Sequence, residues 1–195
     1  MMGEENPLNY DAWDGYQANR NRTFKTLYEN NIGNNILIAG DSHANWVSDL
    51  VWLDEHHYND KTGAGSIGVE FAGTAVTSPS SFGQNITIAE SRNVSEALVK
   101  GNRELQWSEG YYRGYFELHV ARKDLTARYY GVPTNLKRSP AEVSLANFTV
   151  RSGENRLHRP IAGGVVENGF LKYGNVRPTN LTVDTETGEW SVYHL

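Results

Sequence analysis

The apolar and polar positions along the first part of the chain predict a helix, a buried strand and a second helix. Apolar side chains recur at helical spacing over residues 16–31, which predicts a helix. The apolar run in residues 34–39 indicates a strand buried on both faces. A polar turn, residues 40–43, follows it, and residues 44–53 are expected to form a second helix. This order of elements is typical of an α/β fold.

Strand patterns dominate the rest of the chain. Residues 66–77 are strand-like, whereas residues 91–100 predict one more helix. From Tyr115 onward apolar and polar residues alternate, which predicts strands that turn one face to the core. Residues 181–193 have the pattern of a hairpin that turns around Gly188. We therefore expect an α/β (α+β) fold with a β-rich C-terminal end.

Length and composition indicate one soluble globular domain. The chain has 195 residues, of which 38% are hydrophobic and 21% charged. Its net charge of -5, with no stripe of Lys or Arg, offers no electrostatic case for nucleic-acid binding. Without cysteine it forms no disulfide and no thiolate metal site. No apolar run is long enough to cross a bilayer, and we do not expect the polar, acidic residues 1–5 to be a signal peptide.

The chain carries more N-glycosylation sequons than its composition predicts. Five Asn-X-Ser/Thr sequences occur, at Asn21, Asn85, Asn93, Asn147 and Asn180, where roughly two or three are expected by chance. This excess favours a secreted or cell-surface parent protein that is glycosylated at these positions. The alternative is ordinary polar loop composition.

The turn Gly40-Asp41-Ser42-His43 is the strongest candidate for a functional site. In an open α/β sheet, ligands bind beyond the carboxyl ends of strands, where Asp41 and His43 can both face one metal ion or phosphoryl group. Alternatively, Asp41 caps the following helix and His43 is a surface residue. Arg20 and Asn45 are weaker candidates for substrate binding. Arg20 has the alternative of being a solvated residue on its helix.

Five motifs in order resemble the alkaline phosphatase D (PhoD-like) family of calcineurin-like metallophosphoesterases. They are the W-D-G-Y…R helix, the G-D-x-H-x-x-W turn, a G-x-E-F strand, a T-S-P segment and an R-G-Y strand, which begin at Trp13, Gly40, Gly68, Thr77 and Arg113. The resemblance covers about residues 9–135. We assign residues 1–135 to the C-terminal part of the PhoD-like domain and residues 136–195 to a β-rich extension of it, similar to that of fungal members.

The resemblance implies a two-sheet sandwich and metal-dependent hydrolysis of phosphate mono- or diesters, with a small-molecule phosphate ester as substrate. It assigns Asp41 to a Ca²⁺-type ion and Tyr115 to Fe³⁺, as a tyrosinate ligand. His43 would be catalytic, beside the metals or the phosphate. Without the resemblance, Tyr115 is interpreted more simply as a half-buried strand tyrosine.

Motifs of the family's earlier half are missing from the sequence. There is no Asn-His dipeptide, no cysteine ligand and no second strand-turn carboxylate before Asp41. We therefore expect the chain to be the later part of the fold, with a missing N-terminal half as its partner. As an isolated chain its site would be incomplete. The alternative is a non-catalytic remnant that acts as a structural or binding module.

Overall fold

The computed structural model describes residues 12–138, 140–177, 181–183 and 190–192. Two helices and most of the strands lie in the first 151 residues. In chain order the elements are α1 (Gln17–Glu29), β1 (Ile36–Ala39), β2 (Asn45–Leu50), β3 (Gly68–Ala72), α2 (Ile88–Gly101), β4 (Leu105–Glu109), β5 (Arg113–Val120), β6 (Asp124–Val132), β7 (Val143–Arg151), a short 3₁₀ turn (Ile161–Gly164), β8 (Val165–Val166), β9 (Phe170–Leu171), β10 (Asn175–Val176), β11 (Leu181–Val183) and β12 (Trp190–Val192).

Two sheets enclose the main core. One has the strand order β1-β3-β2-β4-β9, in which β1 runs parallel to β3 and the other pairs are antiparallel. The other is the antiparallel sheet β5-β6-β7. Trp107 of the first sheet contacts Tyr129 and Phe148 of the second, with ring centroids 5.0 and 5.4 Å apart. The α+β class is confirmed, and the described residues form two further, two-stranded sheets, β8-β10 and β11-β12.

Both helices begin close to where the sequence places them. Helix α1 turns Phe24 toward Trp13 and Trp52, at centroid distances of 5.6 and 6.3 Å, and forms a second apolar cluster. Helix α2 begins three residues before its predicted start because Thr87 and Glu90 form a reciprocal capping box. No helix in the described part of the chain is long and apolar enough to span a membrane.

Two predictions for the first sheet are wrong. Residues 44–53 form no helix: residues 45–50 are β2, the strand between β3 and β4. Nearly every side chain of this strand is buried, so tertiary contacts outweigh a local helical pattern. Strand β1 is not buried on both faces either, since it lies at the end of the described sheet and Ile38 is 64% exposed.

A buried carboxylate ties the C-terminal part to the central strand β2. Asp49 accepts hydrogen bonds from Tyr58 Oη at 2.7 Å and from Leu157 N at 2.8 Å. It also forms an ion pair with Arg159, with Nη2 at 2.5 Å from Oδ2.

Because β7 shares a sheet with β5 and β6, the predicted boundary at residue 135 falls between two strands of one sheet, β6 and β7.

The C-terminal hairpin is confirmed in its strand pairing. Strand β11 pairs antiparallel with β12, with Leu181 opposite Val192. The turn around Gly188 lies outside the described residues.

Candidate functional site

The turn between β1 and β2 holds two residues in the left-handed backbone region. Asp41 has φ of 65° and His43 has φ of 54°. Positive φ is uncommon for residues other than glycine, although aspartate and histidine adopt it more often than most, and such positions cluster at functional sites. Ser42 accepts a hydrogen bond from Trp46 Nε1 at 2.8 Å and donates to Ala44 O at 2.9 Å. The side chain of Asp41 lies on the exposed surface of this turn.

His43 also contacts the segment that follows β3. Its Nδ1 lies 3.0 Å from the carbonyl oxygen of Pro79, and because a carbonyl can only accept, this nitrogen donates the proton. The imidazole orientation is therefore set by a backbone group of the T-S-P segment. Its other ring nitrogen keeps a lone pair with which it could bind a metal or accept a proton.

Arg113, the first residue of β5, joins the turn to two other segments. Its Nη1 donates to His43 O at 2.9 Å and to Ser78 O at 3.1 Å, and its Nη2 donates to Gly110 O at 2.8 Å. The residue is 7% exposed. Burial lowers the pKa of this guanidinium, and the negative charge of Glu109 raises it. An arginine remains charged under these opposing influences.

Glu109 is the fully buried carboxylate beneath the turn, at the end of β4. Its Oε2 accepts a hydrogen bond from Asn45 Nδ2 at 3.0 Å, while Asn45 Oδ1 accepts from Thr74 N at 3.0 Å. Burial raises the pKa of Glu109, whereas its hydrogen-bond donors and the charge of Arg113 lower it. Three donors converge on its Oε1, namely Tyr111 N at 2.6 Å, Tyr112 N at 3.0 Å and Asn168 Nδ2 at 3.0 Å.

Tyr115 follows Arg113 by two residues and so projects from the same side of β5. It is 42% exposed, stacks on Tyr130 with centroids 5.3 Å apart, and donates a short hydrogen bond from its hydroxyl to Glu142. The hydrogen bond to Glu142, with smaller effects from burial and nearby charge, raises the pKa of Tyr115 to about 12. In this state the phenol is protonated, whereas an iron ligand would be a phenolate.

The two weaker candidates are already engaged by neighbouring groups. Arg20 donates to Asp14 Oδ1 at 3.2 Å, and both side chains are largely buried. Asn45 is 1% exposed, and its amide joins Glu109 to Thr74. Both sets of contacts stabilise the local structure. The substrate contacts of Arg20 and Asn45 remain predictions.

The described residues do not by themselves make up a metal centre. Asp41 and His43 share one turn, but no group of three or more His, Asp or Glu side chains in the described part of the chain is placed to hold an ion together. The residues present therefore do not fit a two-metal site unless further ligands join them.

Sequence reasoning missed Glu109 and the role of Arg113. The sequence gives little signal for Glu109, because its segment Leu105–Glu109 has only two apolar residues, Leu105 and Trp107, and does not mark a buried strand. The contacts of Arg113 join residues 35 and 70 positions away in sequence, which no local pattern reveals.

The sequons differ in their setting. Asn85, Asn93 and Asn147 are exposed, in a loop, on α2 and on β7 respectively, whereas Asn21 on α1 is half-buried. Asn180 lies outside the described residues.

Comparison with known proteins gives consistent matches. A family model described as PhoD-like phosphatase matches residues 2–129. Alkaline phosphatase D of Bacillus subtilis (strain 168) is 30% identical over 162 residues, which are 81% of this chain and 26% of that protein. The solved structure described as "Structure of PhoD" has a TM-score of 0.61 and 26% identity, over 86% of this chain and 28% of that chain.

The chain thus spans about a quarter of the length of the relatives it matches. The similarity to the fungal members stays a prediction, since the Bacillus relative is bacterial.

The buried Glu109 should be essential for the stability of this region. In Glu109→Gln, the NH₂ group of the new side chain would face the NH₂ group of Asn45, and neither can accept a hydrogen bond. If the Asn45 amide rotated to present its oxygen instead, it would lose the hydrogen bond that Thr74 N donates to Oδ1. We expect the free energy of unfolding in urea to fall by about 1–3 kcal/mol. Glu29→Gln is the control, because Glu29 is exposed and pairs with Lys25 at 3.7 Å, and it should cost less than about 0.5 kcal/mol. Equal stability of the two variants would contradict a structural role for this carboxylate.

Proposed function

The chain belongs to the PhoD-like phosphatase family, and on this premise we propose that it contributes the Asp41–His43 turn to the site of a phosphate-ester hydrolase. The observation that carries the proposal is the turn itself. Two residues in the left-handed region, Asp41 and His43, are held there by the hydrogen bonds of Ser42, Pro79 and Arg113. Non-glycine residues held in this region cluster at active sites and ligand clamps.

Within this site we propose roles for three residues. Asp41 is a metal ligand, since an exposed carboxylate suits a hard cation such as Ca²⁺. His43 lies beside the metals or the phosphate, where an oriented imidazole can accept or donate a proton. Tyr115 is the ligand of Fe³⁺, which requires that its hydroxyl leave Glu142 and lose its proton. The substrate is a small phosphate mono- or diester.

Arg20 and Asn45 have less support as substrate-binding residues. Arg20 would have to leave Asp14, and Asn45 would have to become exposed, before either could contact a phosphate. We propose that Asn45 acts instead by fixing the start of β2 directly after the turn.

The remaining ligands are proposed to come from a polypeptide segment outside this sequence, the N-terminal half of the same domain. The support is that the chain covers 26% of the Bacillus protein and that no three candidate ligands meet among its described residues. The lack of three converging ligands among the described residues also favours the second candidate function, a non-catalytic structural or binding module. If the chain is part of the hydrolase, phosphatase activity should depend on Asp41 once the N-terminal half is present. If it is a non-catalytic module, it should not.

We also propose that the parent protein is secreted or displayed at the cell surface and is glycosylated. Among the sequons, Asn85 is the best placed acceptor because it lies exposed in a loop, with φ of 60°. Removal of N-glycans from protein secreted by a eukaryotic host should reduce its mass. Asn85→Gln should lose one glycan.

Asp41→Asn should lower phosphatase activity by orders of magnitude in a polypeptide that carries the complete site. The substitution keeps the shape of the side chain but removes the charge that a hard cation requires. Turnover of an aryl phosphate and the thermal midpoint are measured together, and the midpoint should stay nearly constant because Asp41 is exposed. Asp54→Asn, the same change in an exposed loop, is the control. Activity of Asp41→Asn within about threefold of wild type would remove Asp41 from the site.

Tyr115→Phe should abolish any visible phenolate-to-iron absorption band in the same polypeptide loaded with Fe³⁺. Only the ligand oxygen is deleted, so the packing of β5 should survive. Tyr130→Phe is the control, because Tyr130 stacks on Tyr115 and has the same chemistry. If the band persists at unchanged intensity in Tyr115→Phe, Tyr115 is a strand residue and no iron ligand.

A further inference from the structure

Arg113 lies at the point where three chain segments meet. The acceptors of its guanidinium are the carbonyls of His43 in the turn, Ser78 in the segment after β3, and Gly110 just beyond β4. All three carbonyls lie outside the ranges of the strands, so the Arg113 side chain donates the hydrogen bonds that a neighbouring strand would otherwise supply. A single side chain thereby joins these three segments just beyond the last pair of β2 and β4, Asn45 with Glu109.

Arg113 and the Ser78-Pro79 segment contact both the backbone and the imidazole of His43. Arg113 Nη1 binds the carbonyl of His43, while the imidazole Nδ1 binds the carbonyl of Pro79. The same Nη1 also binds the carbonyl of Ser78, the residue before Pro79. Both the backbone and the ring of His43 are therefore fixed against one segment. These contacts stabilise the left-handed backbone of His43, whose φ is 54°.

The chemistry of the contact requires arginine. Its two Nη groups reach three acceptors in different directions, which suits a planar fork of donors and not the compact ammonium of lysine. Burial lowers the pKa of the guanidinium, and the negative charge of the nearby buried Glu109 opposes this effect. Because both Nη atoms are directed at carbonyls and the residue is 7% exposed, Arg113 is not oriented to bind a substrate phosphate.

We propose that Arg113 is a positioning residue, which locks the Asp41–His43 turn onto the start of β5 and so fixes the turn relative to Tyr115. Arg113 and Tyr115 share one strand, so the clamp sets the geometry between the two proposed metal ligands, Asp41 and Tyr115. For its catalytic consequence this inference rests on the proposed function. The clamp itself is a property of the chain and can be measured without activity.

The first test is amide hydrogen exchange of the 195-residue chain, with wild type, Arg113→Lys and Arg103→Lys compared. Arg103 also donates to a backbone carbonyl, that of Tyr58, so Arg103→Lys is a matched control away from the turn. Arg113→Lys should exchange at least about tenfold faster in residues 40–46 and 77–82, with β6 and β7 unchanged. Arg103→Lys should leave both segments at the wild-type rate. Unchanged exchange in Arg113→Lys, or equal acceleration throughout the chain, would overturn the local clamp.

A second measurement needs no variant, in case Arg113→Lys does not fold. In wild-type chain labelled with ¹⁵N at arginine, the Nη protons of Arg113 should rotate slowly and give separate signals, because both Nη groups are held by carbonyls. The exposed Arg92 on α2 is the reference, with averaged signals expected. Averaged signals for Arg113 would contradict the clamp.

The third test uses a polypeptide with the complete site and an aryl phosphate. Arg113→Lys should lower kcat by at least about tenfold with KM within about threefold of wild type, and Arg103→Lys should change neither. A loss confined to KM would show that Arg113 binds substrate, and so overturn a positioning role. If the wild-type polypeptide has no phosphatase activity, the proposed function fails, while hydrogen exchange still decides on the clamp.

Discussion

The arrangement of the candidate site depends on one buried negative charge, the carboxylate of Glu109. Burying an ionised group is unfavourable unless donors surround it, and the donors here come from the ends of several segments. Asn45 begins β2, and Tyr111 and Tyr112 lead into β5. Since each donor must stay in place to stabilise the charge, the segments that flank the Asp41–His43 turn are fixed relative to each other.

The positive charge of Arg113 completes this arrangement. It lies near Glu109 and extends the network from the interior to the carbonyls of the turn and of the segment after β3. A strained turn, an oriented imidazole and the strand that carries Tyr115 thus depend on one buried acid and one buried arginine. Asp41 itself stays exposed, so its carboxylate is accessible without any rearrangement of the core.

Much of the fold could be predicted from the sequence, because local pattern and tertiary structure agree there. The apolar spacing of α1 and the alternation of β5 are both set by the core that they face. The local pattern of residues 44–53 favours a helix, but the position of β2 between β3 and β4 decides its conformation. Motif order located the turn, but Glu109 and Arg113 act through contacts between distant segments. Those contacts appear only after folding.

We expect this chain to hold only part of a metal site. The most direct test is the metal content of the purified 195-residue chain after incubation with Ca²⁺ and Fe³⁺ and exhaustive dialysis, determined by plasma mass spectrometry. We expect the chain to retain well under one ion, below about 0.1 per molecule, because one carboxylate and one phenol are too few ligands to hold an ion firmly. One or more retained ions per chain would contradict it, and would show that the ligands present already form a complete centre.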